Sequence, residues 1–362
     1  MWHVAARDVS LNTLKIEARV EIFPLKHPFR ISRGSRTEAC VVTVTVSNGQ
    51  HIGRGEGVPI ARYNQTTDSV LAQINSIAST VDLDRDKLAE LLPPGAARNA
   101  VDCALWDLEA KCSGKRAWNL ANIPFVSRSR RPVGDARASH TEAATEETDD
   151  GERVETSFTI SLDTPARMAD AAAAARDLPI LKLKLCGDDD DIARVESVRA
   201  AAPSARLLID ANESWSPRHY KKSVSALKEL GVELIEQPFP ADADDVLGTL
   251  DHPIPVCADE SCHTTPDLPR LKNHYDAINI KLDKTGGLTE GLDLYQRARE
   301  NNFKILIGCM VCTSLSIAPA RVLAGSADWV DLDGPLLLGR DRDYGLHYRN
   351  GKIGMPVREL WG

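Results

Sequence analysis

The chain has 362 residues, 43% of them apolar, and a net charge of −8 at neutral pH, which allows one large barrel-type domain with a smaller companion. The mixed, slightly acidic surface argues against a nucleic-acid-binding protein, and no apolar run approaches the roughly 18 residues of a membrane helix. The N-terminus also lacks the apolar core of a signal peptide, so we expect a cytoplasmic protein with no nucleic-acid or membrane partner.

The N-terminal section, residues 1–125, predicts a small α+β domain. Alternating apolar residues and Gly/Asn turns predict an antiparallel sheet over residues 14–60. A polar, arginine-rich connection, HPFRISRGSRTEA, separates its first two strands. Residues 67–92 and 97–113 have helical spacing, and the second helix is expected to end near Gly114.

Residues 126–155 change in character, because large apolar side chains almost disappear there. Basic residues come first in this stretch and acidic residues follow. Such a composition cannot bury enough apolar surface to fold alone, so we expect a polar, mobile insertion.

From residue 156 onward, short β-type runs alternate with helical stretches, and successive runs start roughly 22–27 residues apart. The eight runs are FTISL (158–162), ILKLKL (180–185), RLLIDA (206–211), VELIEQ (232–237), IPVCAD (254–259), AINIKL (277–282), KILIGC (304–309) and WVDLDG (329–334). This rhythm predicts a parallel β/α barrel over 156–338. A doubly wound sheet is the alternative, but eight near-even units without a GxGxxG after the first strand favour the barrel.

Ionisable side chains stand at the carboxyl ends of six of these eight strands. In a barrel all such ends meet at one mouth. The carboxylates of Asp210, Glu236 and Asp259 fall on three adjacent strands, where they would repel one another unless a cation neutralised them. Ligands that are all oxygen suit a hard divalent ion, so we predict a Mg²⁺ site.

The run LKLKL places two lysines, Lys182 and Lys184, on the same face of a buried strand, with Leu183 facing the helices. Two neighbouring ammonium groups lower each other's pKa, which favours Lys184 as a base tuned by Lys182. Lys281, on the sixth strand, lies across the barrel and would serve the opposite face of the same carbon. Two bases on two faces give racemisation or epimerisation.

These motifs together resemble the enolase superfamily, muconate-lactonising subgroup, and within it the dipeptide epimerases that act on L-Ala-D/L-Glu. The elements that carry the resemblance are LKLKL, IDAN, IEQP, ADES, INIKLDKTGG, GCMVCTS and DLDGP. The resemblance implies a modified TIM-type (β/α)7β barrel with an N-terminal α+β capping domain, completed by the C-terminal segment 339–362. It also implies Mg²⁺ ligands at Asp210, Glu236 and Asp259 and acid/base lysines at Lys184 and Lys281, with Lys182 as the first lysine of the KxK motif.

Substrate contacts follow from the same resemblance. The DxD motif of the eighth strand, Asp331 and Asp333, is expected to bind the free ammonium of a dipeptide, and Arg36 its glutamate side chain. Thr159, on the first strand, is a further candidate contact. Whether Arg33 or Lys284 takes part is left open, and a homo-oligomer is expected because superfamily members are commonly oligomeric.

We therefore predict an isomerase that epimerises L-Ala-D/L-Glu, a murein-derived dipeptide, by two-base 1,1-proton transfer through an enediolate intermediate. This activity would serve murein peptide catabolism and cell wall recycling. The alternatives are a dipeptide epimerase of different specificity, an o-succinylbenzoate synthase or cycloisomerase of the same subgroup, and a catalytically silent barrel used for binding.

Overall fold

The computed structural model describes residues 14–121 and 153–362. The predicted insertion at 126–155 lies outside the described residues except for its last three positions. Of these, Val154–Glu155 form a short strand that pairs with Lys352–Ile353 near the C-terminus. No helix within the described residues combines the length and the apolar character needed to cross a bilayer.

The N-terminal section forms a three-stranded antiparallel sheet packed on helices. Its strands are β1 (Lys15–Ile31), β2 (Gly34–Ser47) and β3 (Ile52–Gly57), and its helices are α1 (Thr67–Ile77), α2 (Arg85–Leu91), α3 (Ala96–Ser113) and α4 (Ala117–Leu120). The predicted sheet is confirmed, and α3 ends at Gly114 in the left-handed conformation as expected. The helical stretch predicted over 67–92 divides into α1 and α2, because residues 78–84 carry no helix.

The connection at residues 27–39 differs from its prediction as a polar link. The first two strands run through it as one long hairpin, with an irregular register between Pro24 and Phe29 and a turn at Ser32 and Arg33. Arg36 therefore lies on β2, opposite Phe29 of β1, and not in a loop. Backbone pairing overrides side-chain polarity here, since exposed residues on a two-stranded ribbon can all be polar.

The second section is an eight-stranded parallel sheet in sequential order, which confirms all eight predicted strands. After the short strand β4 (Val154–Glu155), these strands are β5 (Phe158–Ile160), β6 (Ile180–Lys184), β7 (Arg206–Asp210), β8 (Val232–Glu236), β9 (Val256–Ala258), β10 (Ala277–Ile280), β11 (Lys304–Gly308) and β12 (Trp329–Asp331). Ser157 N donates to Val330 O across the first and last strands, so the sheet is nearly closed into a barrel.

Helices follow most strands and pack around the sheet. They are α5 (Pro165–Ala174), α6 (Asp191–Ala201), α7 (Pro217–Glu229), α8 (Leu268–Leu271), α9 (Leu282–Thr285), α10 (Leu288–Glu300), α11 (Ser314–Ala324) and α12 (Gly334–Leu337). Between β8 and β9 the crossover is a short 3₁₀ segment, Asp245–Thr249. The fold is thus the expected modified β/α barrel with an N-terminal capping domain.

The interior of the barrel has an apolar floor beneath a polar layer. The floor is a separate buried cluster, made of Ile180, Leu208, Leu234, Cys257, Ala277, Leu306 and Trp329. Side chains two positions further along a strand point the same way. The residue two places after each floor residue on β6 to β10 is therefore also inside the barrel, one layer nearer the carboxyl ends of the strands.

The C-terminal segment returns to the capping domain. Gly339 N donates to Pro24 O, and the buried indole of Trp361 donates to Cys103 O on α3. The Arg342 guanidinium joins Glu21 of β1 to the buried Glu56 of β3. These contacts hold the C-terminal segment against the capping domain.

Candidate active site

Three carboxylates meet in the polar layer above the barrel floor. Strand register places Lys184 beside Asp210 and Asp210 beside Glu236, and Asp259 directly follows β9. All three acids are at least 97% buried, and carboxylate oxygens of the three lie within 4.8 Å of one another. The convergence predicted from the strand ends is thus present in the structure.

The donor set of this cluster fits a hard divalent cation. It offers only oxygen ligands, and the three carboxylates are buried within 4.8 Å of one another, with Glu236 Oε2 also 2.5 Å from Lys182 Nζ. Burial and the nearby Asp210 carboxylate raise the pKa of Glu236. A bound cation would offset the repulsion between the three acids.

Lysines flank the carboxylates on two sides. Lys184 Nζ, from β6, lies 2.6 Å from Asp210 Oδ2, and Lys281 Nζ, directly after β10, lies 2.5 Å from Asp259 Oδ2. Both ammonium groups are mostly buried. The cluster therefore has one amine at its β6 edge and another at its β10 edge.

Lys182 lies inside the cluster, where its Nζ is 2.6 Å from Asp331 Oδ2 and 2.5 Å from Glu236 Oε2. The expectation that Lys182 and Lys184 lower each other's pKa is wrong for Lys182. Burial lowers the pKa of Lys182, but the carboxylates of Asp331, Glu236 and Asp210 outweigh it and raise the pKa well above its ordinary value. Lys182 is therefore a buried, paired ammonium.

The structure gives partners to the two basic residues left open by the sequence. Lys284 Nζ donates to Asp259 Oδ1 (2.7 Å) and to Asn279 O (2.9 Å), so this buried ammonium holds the Asp259 carboxylate in place. Arg33, at the tip of the cap hairpin, pairs with Glu260 (2.6 Å) and Glu213 (3.1 Å) on the barrel. Arg33 thereby fastens the cap next to the carboxylate cluster.

The three candidates on the closing edge of the barrel lie together. Asp331 accepts from Ser157 Oγ (2.5 Å) as well as from Lys182, and Asp333 Oδ2 accepts from Thr159 N (2.6 Å). Asp331, Asp333 and Thr159 are all buried. Asp331 is thus already paired with a cation, whereas the described contacts of Asp333 are with Thr159.

Arg36 is brought near the mouth of the barrel but not into the cluster. It is exposed on β2, opposite Phe29, whose ring lies 5.9 Å from Lys184 Nζ. Among the described residues Arg36 has no ion-pair partner, so its guanidinium is available to an anion.

Sequence reasoning missed the amides that hold the acids. Asn279 Nδ2 donates to Glu236 Oε1 (2.8 Å), and the Gln237 side-chain oxygen accepts from Asp259 N (2.8 Å). Both amides were visible in the motifs INIK and IEQP. Asn279 shares the inward face with Lys281 by the period of two, which is the signal that could have identified it.

Two family models match this chain. The model described as Mandelate racemase / muconate lactonizing enzyme, N-terminal domain, matches residues 15–121, and the model described as Enolase C-terminal domain-like matches residues 166–356. The two matches correspond to the capping domain and to most of the barrel.

Two characterised relatives are each 40% identical to the chain. An N-acetyl-D-glutamate racemase from a Pseudoalteromonas species aligns over 328 residues, covering 89% of this chain and 95% of the relative. An L-Ala-D/L-Glu epimerase from Escherichia coli (strain K12) aligns over 336 residues, covering 92% of this chain and 97% of the relative.

Solved structures give the same result. An enolase family member from Agrobacterium tumefaciens with homology to dipeptide epimerases, solved with sodium and L-Ala-L-Glu, is 45% identical with a TM-score of 0.87. That match covers 96% of this chain and 100% of the other. A dipeptide epimerase from Enterococcus faecalis V583, solved with Mg and L-Leu-L-Tyr, is 26% identical with a TM-score of 0.82, covering 95% and 97% of the two chains. The chain therefore belongs to the enolase superfamily, with the N- and C-terminal domains of the mandelate racemase and muconate lactonizing enzymes, and is an isomerase.

Proposed function

We propose that the protein epimerises L-Ala-D/L-Glu by moving the α-proton of the glutamate residue between two lysines. The observation that carries the proposal is the pair of amines, Lys184 and Lys281, at two edges of one carboxylate cluster. A single-base reaction needs only one of them. Two amines at separate edges support proton transfer on both faces of one carbon.

Asp210, Glu236 and Asp259 would hold a Mg²⁺ ion. When bound, this ion supplies a Lewis acid for the substrate carboxylate, which makes the adjacent α-proton more acidic. The neutral amine of one lysine removes that proton, and the electron pair of the broken C–H bond delocalises into the carboxylate as an enediolate. The ammonium of the other lysine then donates a proton to the opposite face.

Recognition of a dipeptide is assigned to Asp333, Asp331, Thr159 and Arg36. A substrate ammonium needs an uncompensated carboxylate, and Asp333 fits this better than Asp331, which is paired with Lys182. Arg36, exposed and without an acidic partner among the described residues, suits the side-chain carboxylate of glutamate. The relative that epimerises L-Ala-D/L-Glu and the neighbour solved with L-Ala-L-Glu support this choice.

The second candidate is racemisation of an N-acylated glutamate. Such a substrate has the same glutamate carboxylates but no ammonium. The pairing of Asp331 with Lys182 favours this alternative, because it leaves fewer free carboxylates for a cation. The 40% identical N-acetyl-D-glutamate racemase supports it as well.

The experiment that separates the two is α-proton exchange in D₂O, followed by NMR on the enzyme with Mg²⁺. L-Ala-L-Glu, L-Ala-D-Glu, and N-acetyl-L- and N-acetyl-D-glutamate are compared by kcat/KM. We expect both dipeptides to exchange at least about tenfold faster than the N-acetyl compounds, and excess EDTA to abolish exchange until Mg²⁺ is restored. The reverse order would establish the N-acyl racemase, and exchange that EDTA leaves intact would contradict the assigned metal site.

A role in murein peptide catabolism, a cytoplasmic location and a homo-oligomeric state stay predictions from the sequence. The catabolic role depends on the substrate being the murein-derived dipeptide, and the oligomeric state depends on features of the family. An order of preference that puts L-Ala-X dipeptides other than L-Ala-D/L-Glu first would redirect the proposal to a dipeptide epimerase of different specificity.

A further inference from the structure

One face of the cap helix α3 contacts the segment that carries the second lysine. This segment, residues 281–289, leaves the barrel after β10 and contains Lys281 at its first position. The side chains of α3 that contact it share one side of the helix, since residues 98, 102 and 106 are four positions apart and residue 99 is three positions before residue 102. They are Arg98, Asn99, Asp102 and Trp106.

The contacts are polar, close and mostly buried. Arg98 Nη2 donates to Thr285 O (2.6 Å), and Asn99 Nδ2 donates to Asp283 Oδ1 (2.8 Å). Asp102 accepts from both the hydroxyl (2.6 Å) and the backbone N–H (3.0 Å) of Thr289. Asp102 thereby caps the N-terminus of α10 from a different helix, where a carboxylate is stabilised by the helix dipole.

Two glycines let the segment approach α3 this closely. Gly286 and Gly287 have φ of +80° and +122°. A Cβ at Gly286 would lie 2.3 Å from Arg98 Nε, and one at Gly287 would lie 2.3 Å from Asp102 Oδ2. Only glycine combines these backbone angles with such close contacts. The close packing of the segment against α3 therefore requires glycine at both positions.

The contacts reach Lys281 through its own turn. The carbonyl of Lys281 accepts from Lys284 N (2.9 Å) and Thr285 N (3.1 Å), so its backbone is part of the one-turn helix α9. Asp283, in the middle of that turn, is bound by Asn99 and by Val58 N (2.8 Å), both from the cap. The position of Lys281 therefore depends on the cap.

Lys184 is held in another way. It lies within β6, which is paired with β5 on one side and β7 on the other, and its Cα partner is Asp210. Its described contact with the cap is the ring of Phe29, at 5.9 Å. Among the described residues no hydrogen bond or ion pair joins α3 to β6, so the polar contacts of the helix do not reach the strand of Lys184 directly.

We propose that α3 is a positioning element for Lys281 and not for Lys184, acting through Asn99 and Asp102. The cap thus affects the proton transfer at Lys281 more than the transfer at Lys184, because a change that reaches Asp259 through Lys284 acts on both transfers and cancels in the ratio of their rates. This inference rests on the proposed two-lysine function. It predicts that damage to α3 alters the two half-reactions unequally, whereas a general loss of folded enzyme reduces both equally.

The test measures α-proton exchange in D₂O for both glutamate epimers in a single preparation and takes the ratio of the two rates. This ratio is independent of the concentration of folded enzyme. The isomer that needs Lys281 is identified first with Lys281→Ala. For Asn99→Ala and Asp102→Ala we expect exchange of that isomer to fall about tenfold relative to the other, because an error of about 1 Å in a catalytic group costs up to 10²-fold.

Asp107→Ala is the matched control. Asp107 is on the same helix and is equally buried, but it accepts from Arg54 N, Lys111 Nζ and Gly362 N, away from the 281–289 segment. We expect its ratio to stay within about twofold of the wild type. A shift as large as that of Asp102→Ala, or unchanged ratios in both Asn99→Ala and Asp102→Ala, overturns the proposal.

Asp283 provides a rescue test. Asp283→Asn keeps an oxygen that can accept from Asn99 and Val58, whereas Asp283→Ala removes it. We expect the ratio to shift in the alanine variant and to stay close to the wild type in the asparagine variant. Equal shifts in both would mean that the acceptor has no positioning role.

A substrate-free readout distinguishes this inference from the proposed function. Backbone amide exchange is compared between a peptide covering 282–289 and one covering 181–185, in the wild type and in Asn99→Ala. In Asn99→Ala we expect the amides of 282–289 to exchange at least tenfold faster than in the wild type, and those of 181–185 to exchange at the wild-type rate. If wild-type enzyme exchanges no glutamate substrate, the proposed function fails, and equal protection of 282–289 in both proteins would still refute the positioning role.

Discussion

At the scale of single residues, the site is a set of buried charges that compensate one another. An unpaired buried ammonium would be strongly destabilising, but Lys182 lies between Asp331 and Glu236, and Lys281 beside Asp259. The sequence was sufficient to predict that three acids and the lysines converge at one end of the barrel, since each stands at a strand end. It did not reveal that Lys182 pairs with Asp331, because this contact joins two strands far apart in the chain.

Asp333 gives a pH prediction at this scale. Burial and the neighbouring Asp331 carboxylate raise the pKa of Asp333 to about 7, so it is neutral below that pH and ionised above it. Only the ionised form attracts a substrate ammonium. We therefore expect KM for L-Ala-L-Glu to rise as the pH falls from 8 to 6, and Asp333→Asn to show a high KM at both pH values.

N-acetyl-L-glutamate is the control substrate, because it has no ammonium. Its KM is expected not to rise between pH 8 and pH 6 through the titration of Asp333, in the wild type or in Asp333→Asn. A dipeptide KM that is the same at pH 6 and pH 8 in the wild type would remove the ammonium-binding role from Asp333.

At the scale of elements, the capping domain depends on close packing of a strand against a helix. Every second residue of β3 is glycine, and a Cβ at Gly53 or Gly55 would lie 2.0 Å from a backbone oxygen of α3. Another side of the same helix contacts the 281–289 segment. The contact between β3 and α3 thus sets the position of the face that holds the second lysine.

Gly55→Ala tests this contact. A methyl group at that distance from a carbonyl cannot be accommodated without moving the helix, so we expect destabilisation by about 1–3 kcal/mol or more, seen as a lower midpoint of thermal unfolding. Arg54→Ala is the matched control, since Arg54 is the exposed neighbour on the same strand. Equal, small decreases in the midpoint of thermal unfolding of both variants would show that α3 can move to accommodate the methyl group.

The elements also show where sequence patterns are informative. The eight barrel strands were predicted because buried parallel strands are continuous apolar runs with few alternatives. The cap hairpin was predicted too short, because residues 27–39 are mostly exposed and carry no apolar period. The polar contacts of α3 were not predicted. The sequence pattern around Arg98, Asn99 and Asp102 does not show whether these side chains face solvent or bind partners more than 180 residues later in the chain.

At the scale of the whole molecule, two domains and the C-terminal segment build one site. The barrel supplies the acids and both lysines. The cap supplies Arg33, Arg36 and the contacts of α3 with the 281–289 segment. Trp361 and Arg342 bind the C-terminal segment to the cap. The central claim is that the two lysines act on opposite faces of one carbon.

The most direct test compares Lys184→Ala with Lys281→Ala, each in D₂O with L-Ala-L-Glu and with L-Ala-D-Glu. The account predicts crossed losses, in which each variant loses exchange of one isomer by at least about 10²-fold, retains exchange of the other, and epimerises neither. If both variants lose the same isomer, or lose both isomers equally and mildly, the two-base account is contradicted.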